Sequence, residues 1–573
     1  MDAIDSEISR LLSINAIQPC SHENGEFISN IFTRTKANGK IRIILNLKSL
    51  NKFVVYEHFK MEHLDFVCDL VRQQDWFGSI DLSDAYFAIP IAENSRKYLK
   101  FVWKGTLYNY RVLVFGLSSA PRIFTRICKP ILALLRGVNH IRCSLYIDDM
   151  IVMACKKSDL CNYIDIICNL FTNLGFKINY DKSVLTPTQN IRHLGFNLNS
   201  RNLTVTLPPD KQSLLKLKCK TLLNSAQSTS IRQVASLVGL LIANCQGCKW
   251  GKLYYRDLER DKIQALKSNS GNFDKNMKIS ERGLDNIRWW LTSEILQPVS
   301  FEKKTFDLEM SSDASLTGWG GACDNLQTGG NWSFQEKSHH INWLELKACW
   351  LSLQCFAKRP NIHVLAKLDN TCAMYYINNK GGSIADLDVL AQQFWLWCKE
   401  HNVSVLACYL PGTENHTADF ESRMLRSNTE WSLGQSGFEM IKNTFDLPDV
   451  DLFASRLNCK VNAYVSWKPD PHSMWTDAFT INWCKFKLCY AFPPFALVGK
   501  VVSKCIADKA ELLLVAPFWT TQYWFPLIMD CLVAHPLTLP YSLEVISLPH
   551  DPGSSHPIWH KLNLCCFRLS GKR

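Results

Sequence analysis

The sequence predicts a multidomain protein of mixed α+β and α/β class, and three observations carry that prediction. The chain has 573 residues, room for about three to five separate cores at roughly 100–200 residues per domain. Hydrophobic residues make up 47% and charged residues 20%, with 26 Gly and 22 Pro, which excludes a disordered chain and a fibrous repeat. Strand-like alternation and helical periodicity also replace one another several times along the chain, with no internal repeat.

In chain order, residues 41–47 and 99–103 read as strands. Residues 121–136, between Pro121 and Gly137, read as a helix with apolar positions Ile123, Phe124, Ile127, Ile131 and Leu134. Around 205–245 the pattern is helical: Pro208-Pro209-Asp210 opens one segment, and Ser230-Ile231-Arg232-Gln233 is a capping box before Val234. Near 303 a new unit begins with Phe306, Leu308 and Met310 alternating toward Asp313. After about 445 another begins with the strand-like Val450–Phe453. A helix over about 496–508, a strand over Glu511–Val515 and a helix over about 521–533 follow, a small α/β unit. The expected divisions are 1–200, 201–302, 303–425 and 445–573.

The net charge of +12 is unevenly spread: +6 over residues 1–200, +8 over 201–300 and −2 over the remainder. A basic segment of that kind can hold phosphates, although it is equally the composition of a solvated face. The 23 cysteines follow no regular spacing, and Met1-Asp2-Ala3-Ile4-Asp5 lacks the apolar core of a secretory signal. The expectation is reduced thiols in an intracellular compartment, cytoplasm or nucleus. The apolar runs Leu237–Ala243 and Leu512–Pro517 fall short of the roughly 20 residues of a membrane helix, so no membrane partner is expected.

Tyr146-Ile147-Asp148-Asp149 stands between two strand-like runs, so its acids belong on a tight hairpin turn. Such a turn can aim Asp148 outward toward Mg²⁺, which prefers a few carboxylates plus substrate phosphates; alone it is also an ordinary polar loop. Asp81 follows the strand-like Phe77–Ile80 and opens Asp81-Leu82-Ser83-Asp84-Ala85-Tyr86-Phe87. It could cap a helix, or supply the second direction from which two-metal phosphoryl transfer must hold its ions.

These motifs, in this order, resemble the reverse transcriptases of retroelements. The resemblance implies a right-hand polymerase with fingers and palm over 1–200 and a basic, helical thumb and connection over 201–302. It implies Asp81, Asp148 and Asp149 as catalytic metal ligands and Tyr86 as the aromatic beneath the incoming sugar that excludes a 2′-hydroxyl. Val114–Phe124 resembles the template-gripping motif, in which Gly116 lets backbone approach the nucleotide. Gly39–Asn51 resembles the fingers strand that clasps the triphosphate, with Arg42 and Lys40 as its substrate-binding cations. Gly175–Lys182 resembles the next motif, with Lys182 set to neutralise the leaving pyrophosphate, and His193-Leu194-Gly195-Phe196 resembles the primer grip.

Past 303 a second set of acids appears. Asp313 closes a strand, Glu345 lies in the helical Asn342–Trp350, Asp369 ends the alternating Ile362–Leu368, and Asp419 closes Pro411–Asp419. Each acid alone suits a cap or a solvent-facing position. With Gly318-Trp319-Gly320-Gly321 they resemble a retroelement ribonuclease H domain, which implies Asp313, Glu345, Asp369 and Asp419 as catalytic metal ligands for hydrolysis of RNA in a hybrid. His416 is not placed like the mobile histidine of cellular ribonucleases H and receives no catalytic role.

The last region, with Asp451-Leu452-Phe453-Ala454-Ser455 and Phe492-Pro493-Pro494-Phe495, makes the order of segments resemble polyproteins of DIRS-like retrotransposons, some of which carry a methyltransferase-like domain here. Phe492 replaces the polar first residue of the adenine-methyltransferase motif, so the segment is expected to be inactive in methyl transfer. The whole resemblance implies an RNA- and DNA-directed DNA polymerase with ribonuclease H activity, serving retrotransposition. It would use Mg²⁺ or, in its place, Mn²⁺. Its partners would be an RNA template, a DNA primer, the RNA–DNA hybrid and deoxynucleoside triphosphates, together with a separate recombinase or integrase and a nucleic-acid packaging protein. The alternatives are a catalytically silent, domesticated nucleic-acid-binding protein, or a retroelement protein whose last domain methylates DNA.

Overall fold

The computed structural model describes residues 2–35, 41–225, 228–303, 305–424, 431–542 and 545–572. Lys40 lies outside the described residues. The chain divides into two compact units, residues 1–303 and 304–573.

In the first unit a central antiparallel sheet runs in the order Val184–Thr188, Trp76–Ser83, Asp149–Ala154, Arg142–Tyr146, with Lys177–Ile178 beside the end of Trp76–Ser83. Its register is set at both ends. At one end Arg142 donates to Asp75 (2.6 Å from Nη2) and to the Leu70 carbonyl (2.9 Å), and the Asp75 carboxylate is fully buried. A slip would strand that charge, so the pair tolerates no other register. At the other end the same register sets Asp81 opposite Asp149. Helices Ala120–Ala133 and Lys157–Asn173 share one core with this sheet through Phe124, Leu160, Ile164 and Phe171.

A second core forms around Leu11, Ile43, Leu45, Phe101 and Tyr110, on the hairpin Ile31–Thr35/Ile41–Leu45 and the sheet Ile17–Pro19, Thr106–Tyr110, Lys100–Trp103. The strand expected over 41–47 ends at Leu45, where the Leu47 N–H turns back onto the Leu45 carbonyl (3.0 Å). The helix expected over 121–136 stops at Ala133 and widens into a π turn over Leu134–Val138; Pro130 inside it has no N–H to continue the ladder.

The basic segment folds into helices Pro209–Asn224, Ile231–Asn244, Arg256–Ser268 and Glu281–Trp289. The capping box forms: Ser230 Oγ accepts from the Gln233 N–H (3.3 Å), and Gln233 Oε1 accepts from the Ser230 N–H (2.9 Å).

In the second unit, strands Leu326–Asn331, Gly318–Cys323, Leu308–Ala314, His363–Leu368 and Ser404–Tyr409 form one sheet in that order, the first three antiparallel and the last two parallel. Phe306 lies before the first strand and is exposed, so the expected alternation begins at Leu308. Helix Ile341–Phe356 buries Leu344, Ala348 and Leu351 against Trp319 and Trp332. Helix His416–Arg423 lies so close to the sheet that a Cβ on Gly320 would sit 2.1 Å from the Ala418 carbonyl oxygen. Only glycine fits there.

A second sheet of this unit runs Val450–Asp451, Cys489–Ala491, Glu511–Pro517, Leu564–Ser570, Leu537–Thr538, the first three parallel, with helices Val498–Asp508 and Phe525–Cys531. The strand expected over Val450–Phe453 stops at Asp451. Its buried carboxylate accepts from the N–H groups of Phe453 (3.3 Å) and Lys460 (3.1 Å) and bends the chain away. The helix expected from about 521 begins at Phe525, with Pro526 in its first turn. The sequence separates the two sheets at 425–445, yet both belong to one compact unit. Arg456 donates to Glu336 (2.8 and 3.1 Å), Lys337 to the His550 carbonyl (2.9 Å) and Lys358 to the Asp470 carbonyl (3.3 Å).

Among the described residues no helix is long and apolar enough to cross a membrane, and the cysteines are free thiols.

Candidate active sites

In the first unit, Tyr146 pairs with Asp149 across a two-residue turn made of Ile147 and Asp148. Ile147 has φ +57°, a left-handed conformation that a β-branched side chain adopts at a cost of roughly 1–3 kcal/mol. The turn is held because the Leu82 N–H donates to the Asp148 carbonyl (2.8 Å), stitching it to the strand that carries Asp81. Burial raises the Asp148 carboxyl above its ordinary pKa, and the charges of Asp81 and Asp149 add to the effect. A cation beside these three acids would relieve both, so their chemistry fits a divalent metal.

Neighbouring side chains engage two of the acids. Asp81 Oδ1 accepts from Asn179 Nδ2 (2.8 Å), and Lys182 Nζ lies 3.9 Å from Asp81 Oδ2. His193, fully buried, brings Nδ1 to 3.3 Å from Asp149 Oδ1 without hydrogen-bond alignment. Lys182 therefore stands against Asp81, and it is largely exposed.

Tyr86 sits in the 3₁₀ turn Ala85–Ala88, entered through a left-handed Asp84 (φ +50°) whose carboxylate accepts from Arg10 (2.7 Å). Its ring lies 4.9 Å from that of Phe115 and 5.6 Å from that of Phe124, and its hydroxyl is pushed up to about 12 by burial and then by Asp148. Arg42 stacks on the other aromatic of this group, its guanidinium carbon 4.2 Å from the Phe115 ring centre, and its Nε is buried without a hydrogen-bond partner. Gly116 has φ +102°, and a Cβ there would press to 2.8 Å from the Leu45 carbonyl oxygen. Asn51 locks the loop: its Nδ2 donates to the Gly116 carbonyl and its Oδ1 accepts from the Ser118 N–H, both at 2.9 Å.

In the second unit, ligand atoms of Asp313, Glu345 and Asp369 all lie within 4.8 Å of one another; among the described residues no other group of His, Cys, Asp or Glu closes in this way. Asp313 comes from the Leu308–Ala314 strand, Glu345 from the second turn of helix Ile341–Phe356, and Asp369 from the residue after His363–Leu368. Asp419 stands outside this spacing, its Oδ1 taken by Arg423 (2.7 Å), and it is felt by Asp313 and Asp369 through its charge. Ser422 Oγ donates to Asp313 Oδ2 (2.7 Å).

Burial and then the neighbouring acids push Asp313 up to about 6 and Glu345 up to about 9, and burial raises Asp369. Glu345 Oε2 and Asp369 Oδ1 are buried with no hydrogen-bond partner. Converging acids with orphaned oxygens and reluctance to ionise are what a divalent cation satisfies.

A pH dependence follows. Folded Glu345 and Asp313 hold protons more tightly than the unfolded chain, whose carboxyls titrate near 4.5 and 3.8. Their contribution to stability is whole below those values and is lost as pH rises through about 6 and then about 9. In EDTA, the second unit is expected to melt on the order of 5 °C lower at pH 8 than at pH 6, and Mg²⁺ to restore more at pH 8. Calorimetry of the wild type and Glu345→Gln checks this. An equal pH slope in both proteins would remove Glu345 as its source.

Phe492 follows the Cys489–Ala491 strand and lines a cavity of about 410 Å³ together with Phe453, Trp467, Phe479 and Phe495. Sequence reasoning assigned no individual role to Asn51, Asn179, Ser422 or Arg423, and gave His193 only a place in the motif that resembles the primer grip. Asn51 and Asn179 lay within quoted motifs, and Ser422 follows Asp419 by one helical turn, so a local signal existed for each of these three.

The comparisons bear on the first of these sites. A family model for "Reverse transcriptase (RNA-dependent DNA polymerase)" matches residues 34–198. Those residues form a reverse transcriptase domain. It is homologous to the corresponding part of retroviral and retrotransposon Pol polyproteins. The enzymatic polyprotein of cauliflower mosaic virus is 23% identical over 445 residues, 74% of this chain and 61% of that protein. The Pol polyprotein from transposon gypsy of Drosophila melanogaster is 22% identical over 444 residues, 74% of this chain and 40% of that one. The chain thus spans about three fifths of the viral relative's length. Among solved structures, the foamy viral protease-reverse transcriptase in complex with dsDNA shares 17% identity at a TM-score of 0.44, covering 72% of this chain and 83% of that one.

Proposed function

We propose that the chain is an RNA- and DNA-directed DNA polymerase that also hydrolyses the RNA of RNA–DNA hybrids, serving retrotransposition. The observation that carries the reading is the pair of carboxylate constellations on two different sheets, Asp81, Asp148 and Asp149 on one and Asp313, Glu345 and Asp369 with Asp419 on the other. The order of segments resembles that of DIRS-like elements, and this supports a recombinase or integrase and a packaging protein supplied as separate proteins. Mg²⁺, or Mn²⁺ in its place, would be held by these acids and would supply Lewis-acid stabilisation of the attacking and leaving oxygens.

The chain's own groups do the rest at the first site. Arg42, flat against Phe115, offers a planar cation to triphosphate oxygens, where two parallel N–H donors orient a phosphate better than a point charge. Gly116, locked by Asn51, presents backbone where a side chain would block a nucleotide. Tyr86, propped by Phe115 and Phe124, sets a wall beside Asp148, and its raised pKa keeps the hydroxyl protonated. Lys182 is placed to screen negative charge gathering near Asp81. At the second site Ser422 orients Asp313, and Arg423 directs Asp419.

The test is primer extension with deoxynucleoside triphosphates and Mg²⁺ on a homopolymer RNA template, followed in the same tube by release of labelled RNA. Extension and release are both expected. A folded protein that binds the primed template and does neither would be the silent, domesticated form instead.

A further inference from the structure

We infer that the C-terminal sheet is a working part of the hybrid-cleaving site: Lys468 is a positioning residue that holds the helix carrying Asp419 and Ser422 against Asp313. This rests on the ribonuclease reading of the second acid cluster.

Helix His416–Arg423 has one job visible in the structure, to bring Asp419 and Ser422 to the sheet edge where Asp313 lies, and Ser422 completes that contact at 2.7 Å. It has only eight residues, too few to hold its shape without tertiary partners. On one side it rests on glycines: a Cβ on Gly320 would clash with the Ala418 carbonyl, and one on Gly318 would come within 2.9 Å of the Ser422 carbonyl. The sheet side also holds the two ends of the helix: Asn415 Nδ2 donates to the Ser312 carbonyl (3.0 Å) and Ser315 Oγ donates to the Ser422 carbonyl (2.6 Å). The middle of the helix is gripped from beyond residue 445. Lys468 Nζ donates to Glu421 Oε1 at 2.7 Å, and the Glu421 side chain is only 3% exposed. A carboxylate so buried needs its cation, and Glu421 stands between Asp419 and Arg423 on the same short helix.

Lys468 is itself anchored to the ribonuclease-like sheet. Its neighbour Pro469 accepts from Thr328 Oγ1, and Arg456 donates to the Asn331 carbonyl (3.0 Å) as well as to Glu336. Thr328 and Asn331 belong to the strand beside the glycine-rich one. The C-terminal segment thus holds both the edge strand beside Gly318–Cys323 and the helix that lies against that strand. A segment with Phe492 in place of a polar motif residue keeps a use in this way that requires no methyl transfer.

The experiment uses the full chain with Lys468→Met, Lys468→Arg and the double variant Lys468→Met/Glu421→Gln, which also neutralises the buried carboxylate should the single variant fold poorly. Hydrogen exchange over residues 415–424, hybrid-cleavage kinetics and primer extension are measured on each. Lys468→Met and the double variant are expected to exchange faster over that helix alone. Both should lose roughly 10–100-fold in kcat for RNA release with KM unchanged, while primer extension stays at wild-type rate. Lys468→Arg should recover most of the loss. Wild-type exchange and cleavage in either Met variant would overturn the proposal, as would slowed exchange. If the wild type itself releases no RNA, the ribonuclease reading fails, and the exchange of this helix alone decides whether Lys468 holds it.

Discussion

Asp148→Asn is expected to abolish DNA synthesis, by a factor on the order of 10³ or more, while hybrid cleavage continues at the wild-type rate; Asp313→Asn should do the reverse. A thousandfold loss corresponds to about 4 kcal/mol of transition-state stabilisation. The two effects should not mix, because the acids belong to two separate compact units with separate cores. Asn is close in shape to Asp and removes the charge, so Asp148→Asn also removes a carboxylate that its surroundings disfavour, and the folded protein should be no less stable. Primer extension and RNA release measured on one preparation, with calorimetry as a check on folding, decide the matter. Loss of both activities in a folded single variant would mean one shared site.

The second large effect concerns the sugar. Tyr86→Ala should admit ribonucleotides, reducing discrimination between deoxyribonucleoside and ribonucleoside triphosphates by about 100-fold, the range a steric pocket supplies against an added hydroxyl. Tyr86→Phe keeps the ring and should keep the discrimination. The ring is 5% exposed and packs on Phe115 and Phe124, so the Ala variant also loses about 3–5 kcal/mol of stability. The measured ratio is internal to each enzyme, so a smaller folded fraction does not disturb it. An unchanged ratio in an active Ala variant would place Tyr86 in the core and outside the nucleotide site.

What the sequence discloses and what it withholds divide along sequence distance. The strand–turn–strand around Asp148, the capping box at Ser230 and the helix opening at Pro209 are local patterns, each written in fewer than a dozen residues. The convergence of Asp313, Glu345 and Asp369 is legible as far as each acid sits at a strand end or on a helix, but its 4.8 Å closeness depends on sheet order. The contacts that tune the sites join residues far apart: Ser422 to Asp313, Lys468 to Glu421, His193 to Asp149. No periodicity encodes such pairs, because they follow from how finished elements pack. The early ends of the strands at Leu45 and Asp451 have a similar cause, since one backbone turn and one buried carboxylate outvote propensity there.

Ile147 carries a last consequence, for engineering. A β-branched residue in a left-handed turn is the first position that any search for heat resistance would relax, and Gly or Asn there is the natural replacement. That position also dictates where Asp148 points. Selection for durability and selection for turnover therefore pull in opposite directions at a single residue, and a hardened version of this protein must find its added stability elsewhere.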